Sequence, residues 1–102
     1  MVNEKIINDI KIFIEQIKDT ININSVYLFG SYAKAENEHY SDIDVAIISD
    51  SFDGFIISDT EKILEKTKNI NRMIEPHPFR IEDFTKDNPF VNEIVATGIK
   101  IY

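Results

Sequence analysis

The chain has 102 residues, enough for one domain and too few for a second hydrophobic core. Hydrophobic residues make up 43% and charged residues 28%, the balance of a folded globular protein rather than a disordered one. Eighteen acids against eleven bases give a net charge of −7, which argues against a broad basic surface for nucleic acid. Cysteine is absent, so disulfides, thiolate nucleophiles and Cys-type zinc sites are excluded. No apolar run reaches the roughly 18–20 residues of a membrane span, and no basic-then-apolar leader follows Met1. The expectation is a cytoplasmic protein with no membrane partner and no direct nucleic-acid partner.

Residues 3–20 carry a helical stripe. Ile6, Ile10, Phe13 and Ile17 recur at i, i+4, i+7 and i+11, with Lys5, Lys11, Glu15 and Lys18 on the other side. Ser25 to Phe29 is β-branched and aromatic and stops at Gly30, the pattern of a short buried strand. Helix-forming residues follow at once, predicting a short helix there. Ser41 to Ser49 reads as a second strand with acids at its start. Ser58 and Glu61 have capping-box spacing, predicting a helix from there to about Asn69. Asn71 to Glu75 reads as a third strand, ended by Pro76 and Pro78, which cannot donate to a ladder. Asn88-Pro89 is a helix start, Gly98 its stop, and Ile99 to Tyr102 a last strand. The order α-β-(α)-β-α-β-α-β predicts an α/β (α+β) fold, a small mixed β-sheet flanked by helices.

Three local signals bear on chemistry. Phe29-Gly30-Ser31 joins a strand to helix-forming residues. Such a junction lets backbone N–H groups approach a phosphate, or it is only a turn. Asp42 and Asp44 are two apart, so in a strand they share a face while Ile43, Val45 and Ile47 face apolar packing. Side-by-side carboxylates repel, and a divalent cation with oxygen ligands relieves that; alternatively, Ser41-Asp42 caps a turn and Asp44 is merely exposed. Glu75 ends the third strand and joins the pair if that strand lies beside Ser41–Ser49; otherwise it is an exposed strand-end acid. His77, between two prolines and two residues past Glu75, can approach the site but reads first as a structural or exposed histidine, and His39 as part of a solvated loop. Tyr32 can lie over a nucleotide or pack on its own segment. Arg72 flanks the third strand, within reach of a phosphate or a partner.

Together, Gly30-Ser31, Asp42-x-Asp44 ten residues on and a strand-borne acid some thirty residues later resemble nucleotidyltransferases of the DNA polymerase β superfamily. The short chain and the Ser-Asp-Ile-Asp-Val segment resemble the minimal nucleotidyltransferase (MNT) proteins. The resemblance implies the polymerase β-like nucleotidyltransferase fold over a single domain, residues 1–102. It implies that Gly30 and Ser31 hold the phosphates of ATP or another nucleoside triphosphate, with Lys34 as an added charge. It implies that Asp42, Asp44 and Glu75 are catalytic and ligate metal, two Mg2+ ions or Mn2+, with Glu75 also helping to deprotonate the acceptor. Glu75 stands where many members have Asp, Ala35 where many have Gly, and Lys34 where many have Arg.

MNT proteins are antitoxins of helical HEPN-domain toxins, which implies AMP transfer from ATP to a tyrosine of such a partner. One alternative is a non-catalytic binding module that neutralises its partner by docking. Another is a transferase acting on a small molecule, for which so short a chain is expected to leave little pocket. An oligomer is compatible with all three.

Overall fold

The computed structural model describes residues 3–38, 41–67 and 70–102. The isoleucine stripe forms helix α1 (Glu4–Ile17), with Ile6, Ile10, Phe13, Ile14 and Ile17 buried. Asn3 caps it by accepting the Lys5 backbone N–H at 2.8 Å, one of the donors a helix start leaves free. Four strands follow: β1 (Ile23–Phe29), β2 (Ile43–Ser49), β3 (Ile74–Phe79) and β4 (Ile99–Lys100). Helix α2 (Ile56–Leu64) links β2 to β3, and α3 (Pro89–Thr97) leads into β4. The strands form one sheet in the order β3-β2-β1-β4. β1 is antiparallel to both β2 and β4, while β2 and β3 are parallel. This is the expected small mixed sheet with helices on it.

Strand alternation sends side chains to two different faces. On one, Val26, Leu28, Ile43, Val45, Ile47 and Ile74 pack with α1 and with Ile63 of α2. On the other, Phe29, Ala46 and Ile48 pack with Ile94 of α3, edged by Tyr27, Phe79 and Phe84.

Three elements depart from expectation. β3 does not end at Glu75 but runs through Pro76 and Pro78 to Phe79. Among the described residues the strand is at the sheet edge, pairing with β2 alone, and prolines two apart turn their missing donors to the same, outward side. The helix expected after Gly30 is only a turn: Lys34 N–H donates to the Gly30 carbonyl at 3.2 Å and Glu36 N–H to that of Ser31 at 2.8 Å. It stops because Ala35 takes a left-handed φ of +57°. The Ser58–Glu61 capping box does not form either. α2 starts earlier, at Ile56, and ends at Leu64; Asn69 lies outside the described residues. Buried Asp59 organises its start instead, accepting the backbone N–H groups of Asp53 at 3.0 Å and Gly54 at 2.9 Å. The last helix begins as predicted, Asn88 accepting from Phe90 N–H ahead of Pro89, and ends at Gly98. Among the described residues no helix is long and apolar enough to cross a membrane.

Candidate metal and nucleotide site

The parallel register of β2 and β3 places Asp44 directly opposite Glu75. On its other side Asp44 pairs with Phe29, the last residue of β1. Asp44 and Glu75 therefore share one end of the sheet on the α3 face, while Ile43 and Ile74 beside them are buried on the α1 face. Because β3 continues past Pro76, His77 returns to the face of Glu75. Asp44, Glu75 and His77 each offer one ligand atom, and the three atoms lie within 4.8 Å of one another. His77 Nε2 lies 3.1 Å from Asp44 Oδ1. The imidazole also meets Phe29 edge-on, ring centroids 5.0 Å apart.

Gly30 completes this corner. Its φ is +75°, and a Cβ built there would stand 2.5 Å from Asp44 Oδ2. Both the left-handed backbone and the lack of space demand glycine. The Asp44 carboxylate thus lies between the Gly30 backbone and the His77 ring. The turn beyond Gly30 carries Ser31, which is partly buried, and Tyr32, which packs against the main core rather than on its own segment. Ala35 takes a left-handed φ of +57°, a conformation that glycine adopts without a steric penalty.

The other expected site residues lie around this cluster. Asp42 is exposed, one residue before β2, and is not among the three clustered ligands. It lines an open cavity of about 660 Å³ together with Glu75, His77, Arg72 and Phe90. This open region wraps the edge strand, taking in Ile74, Pro76 and Pro78 from one side of β3 and Glu75, His77 and Phe79 from the other. Lys34 is exposed and pairs with Glu93 of α3, Nζ to Oε1 at 3.2 Å. With Gly30, Phe29 and Phe90 it lines a second, smaller cavity of about 140 Å³. His39 lies outside the described residues.

Two carboxylates and an imidazole converging on one point fit a divalent cation. The glycine beside Asp44 leaves its Oδ2 side open, where any larger residue would fill the space. The backbone of the Gly30–Ala35 turn lies next to it, where an anionic group bound to that cation can be met.

The sequence from residue 8 to residue 102 matches the family model described as polymerase beta, nucleotidyltransferase. The chain belongs to the polymerase beta nucleotidyltransferase family. Solved structures agree on the fold. A Sulfolobus solfataricus protein classed as a presumptive nucleotidyltransferase superposes with a TM-score of 0.65 at 16% identity, covering 94% of this chain and 78% of that one. A toxin–antitoxin structure with AMP-PNP gives 0.60 at 18% identity, with 94% and 72% covered. A mutant of the toxin–antitoxin pair MntA–HpeT, carrying two Asp-to-Glu changes, gives 0.58 at 16% identity with the same coverage. No curated protein matches the sequence. The resemblance to polymerase β-type nucleotidyltransferases read from Gly30-Ser31, Asp42-x-Asp44 and Glu75 is thus borne out at the level of family and fold.

His77 is the site residue that the sequence reading set aside. The signal was present, since it is two residues from Glu75 and so on the same side of any strand that contains both. Reading Pro76 as a strand end concealed it.

Proposed function

We propose that this nucleotidyltransferase domain, spanning residues 1–102, transfers AMP from ATP to a tyrosine hydroxyl of a helical HEPN toxin, and so acts as its antitoxin. The observation that carries the reading is the pairing of Asp44 with Glu75 across β2 and β3, against the glycine turn that follows β1. A divalent cation bound there, Mg2+ or Mn2+, supplies charge neutralisation for the triphosphate and the leaving pyrophosphate. Asp44 and Glu75 would hold it, with Asp42, at the rim of the same cavity, as a further carboxylate ligand. The N–H groups and hydroxyl of the Gly30–Ser31 turn bind phosphate oxygens. Lys34 contributes a charge on releasing Glu93, and Arg72 faces the cavity as a further phosphate partner. Glu75, exposed to that cavity, accepts the proton of the acceptor hydroxyl. The hydroxyl oxygen then bonds to the α-phosphorus as its bond to the bridging oxygen of pyrophosphate breaks.

A protein acceptor is supported by the rim. Phe55, Ile56 and Ile57 are 71–77% exposed at the start of α2, and Ile56 lines the cavity that holds Glu75. The toxin–antitoxin neighbours support the same choice. The cavity itself favours a second reading, a small-molecule hydroxyl as acceptor. Coexpression with the product of the adjacent gene, followed by intact-mass analysis with ATP and Mg2+, separates these. One added AMP on a helical partner, absent with Asp44→Asn, is the expected result. A tight complex without mass change makes the chain a binding module. Transfer to a small molecule without any complex establishes the second reading.

A further inference from the structure

Between Glu75 and Phe79 the chain alternates Glu-Pro-His-Pro-Phe. The prolines turn toward the sheet edge and the α1 side, leaving Glu75, His77 and Phe79 on the other face. His77 pairs in register with Ala46, whose methyl is fully buried and leaves room above it. The imidazole is held from the side by Phe29 and points Nε2 at Asp44. Its ring is 30% exposed on the side-chain scale, open enough to take an ion and fixed enough to hold it. A hydrogen bond to Asp44 alone accounts for one distance but not for the convergence of the Glu75 carboxylate on the same point.

We propose that His77 is a direct ligand of the metal centre, with Asp44 and Glu75, and that this makes the centre selective for a later first-row cation, Fe2+ through Zn2+, over Mg2+. The inference rests on the reading that Asp44 and Glu75 hold a cation. Three donor atoms within 4.8 Å of one another need only small side-chain adjustments to reach one ion at bonds of about 2.0–2.2 Å. Carboxylates alone suit Mg2+, a hard ion that prefers oxygen and keeps its waters. An imidazole nitrogen adds affinity for the later divalent ions and almost none for Mg2+. The single change from oxygen to nitrogen in the donor set therefore shifts selectivity without altering the nucleotide turn.

Isothermal titration of the whole chain with Co2+ and separately with Mg2+, without nucleotide, tests this. Every sample carries His39→Gln, so that His77 is the one remaining imidazole. His77→Phe keeps the ring packing on Phe29 and removes the nitrogen; His77→Gln keeps a hydrogen-bond donor for Asp44. Both variants are expected to lose about tenfold or more in Co2+ affinity, on the scale of a lost metal contact, and to bind Mg2+ within about twofold of the parent. Equal loss of both metals, or Co2+ affinity retained in His77→Gln, would show that His77 only positions Asp44 and overturn the proposal. Asp44→Asn separates the underlying reading. If it abolishes Mg2+ binding, Asp44 holds a cation whatever His77 does; if it leaves both affinities intact, the reading and the proposal fall together.

Discussion

The two faces of the sheet are built from the same strands by the same alternation, yet they differ in kind. The α1 face is dry. Val26, Leu28, Ile43, Val45 and Ile47 are fully buried there, locked under a helix that contributes five buried residues of its own. The α3 face has a smaller apolar patch around Phe29, Ala46, Ile48 and Ile94. At its end by Phe29 the polar groups Asp44, Glu75 and His77 cluster, and the last two line a cavity. A face completely covered by helices supplies stability but cannot admit a ligand. A face left partly open can do so, provided that the covered one carries the fold. Asp44 and its neighbours Ile43 and Val45 show the division within three residues of β2.

If this division is real, substitutions on the two faces must fail differently. Asp44→Asn removes the carboxylate between Gly30 and His77 and is expected to lower transfer by about a thousandfold, with thermal stability little changed; Glu75→Gln is expected to lower turnover by about a hundredfold while nucleotide affinity largely survives. Steady-state rates together with thermal melts check both, and a melt that collapses with the rate erases the distinction. On the dry face, Ile47→Ala should cost about 2–5 kcal/mol in urea unfolding and leave the turnover of the folded fraction close to that of the parent. Gly30→Ala bridges the faces. It meets a left-handed penalty of about 1–2 kcal/mol and drives a methyl into Asp44, so stability and metal binding should fall together.

The smallest effect lies far from the site, where α1 meets the start of β3. The Asn71 amide donates to Asp9 at 3.0 Å and, with Lys5, holds the Asp9 carboxyl below its usual range, against burial, which pushes it up. A lowered native value means that Asp9 stabilises the fold above its unfolded pKa and that this contribution fades as the pH falls through the native one. Asp9→Asn should therefore cost about 0.5–1 kcal/mol at neutral pH, a deficit that shrinks as the pH falls through the acid range. Denaturant melts across that range test it, and a pH-independent deficit would place the effect in packing.

Much of the fold was legible because it depends on local patterns alone. The Ile6–Ile17 stripe, the Ser25–Phe29 and Ser41–Ser49 strands and the Asn88-Pro89 helix start all obey local rules. What the sequence hid depends on partners distant along the chain. Pro76 and Pro78 look like strand terminators until β3 is known to be an edge strand with β2 as its one neighbour. Ser58 looks like a helix cap until Asp59 is seen to be buried against the Asp53–Gly54 backbone. The pairing of Asp44 with Glu75 was readable as a condition, since it required the third strand to lie beside the second. His77 was lost with the strand that carries it.

The account stands on the claim that the open end of the α3 face holds a cation which in turn holds the nucleotide. Isothermal titration of ATP into the chain, with Mg2+ or Mn2+ and then in excess chelator, measures this directly for the parent and for Asp44→Asn. The account predicts binding to the parent that disappears with the metal, and no metal-dependent binding to the variant. Equal ATP affinity with and without metal, or in the parent and the variant, would contradict it.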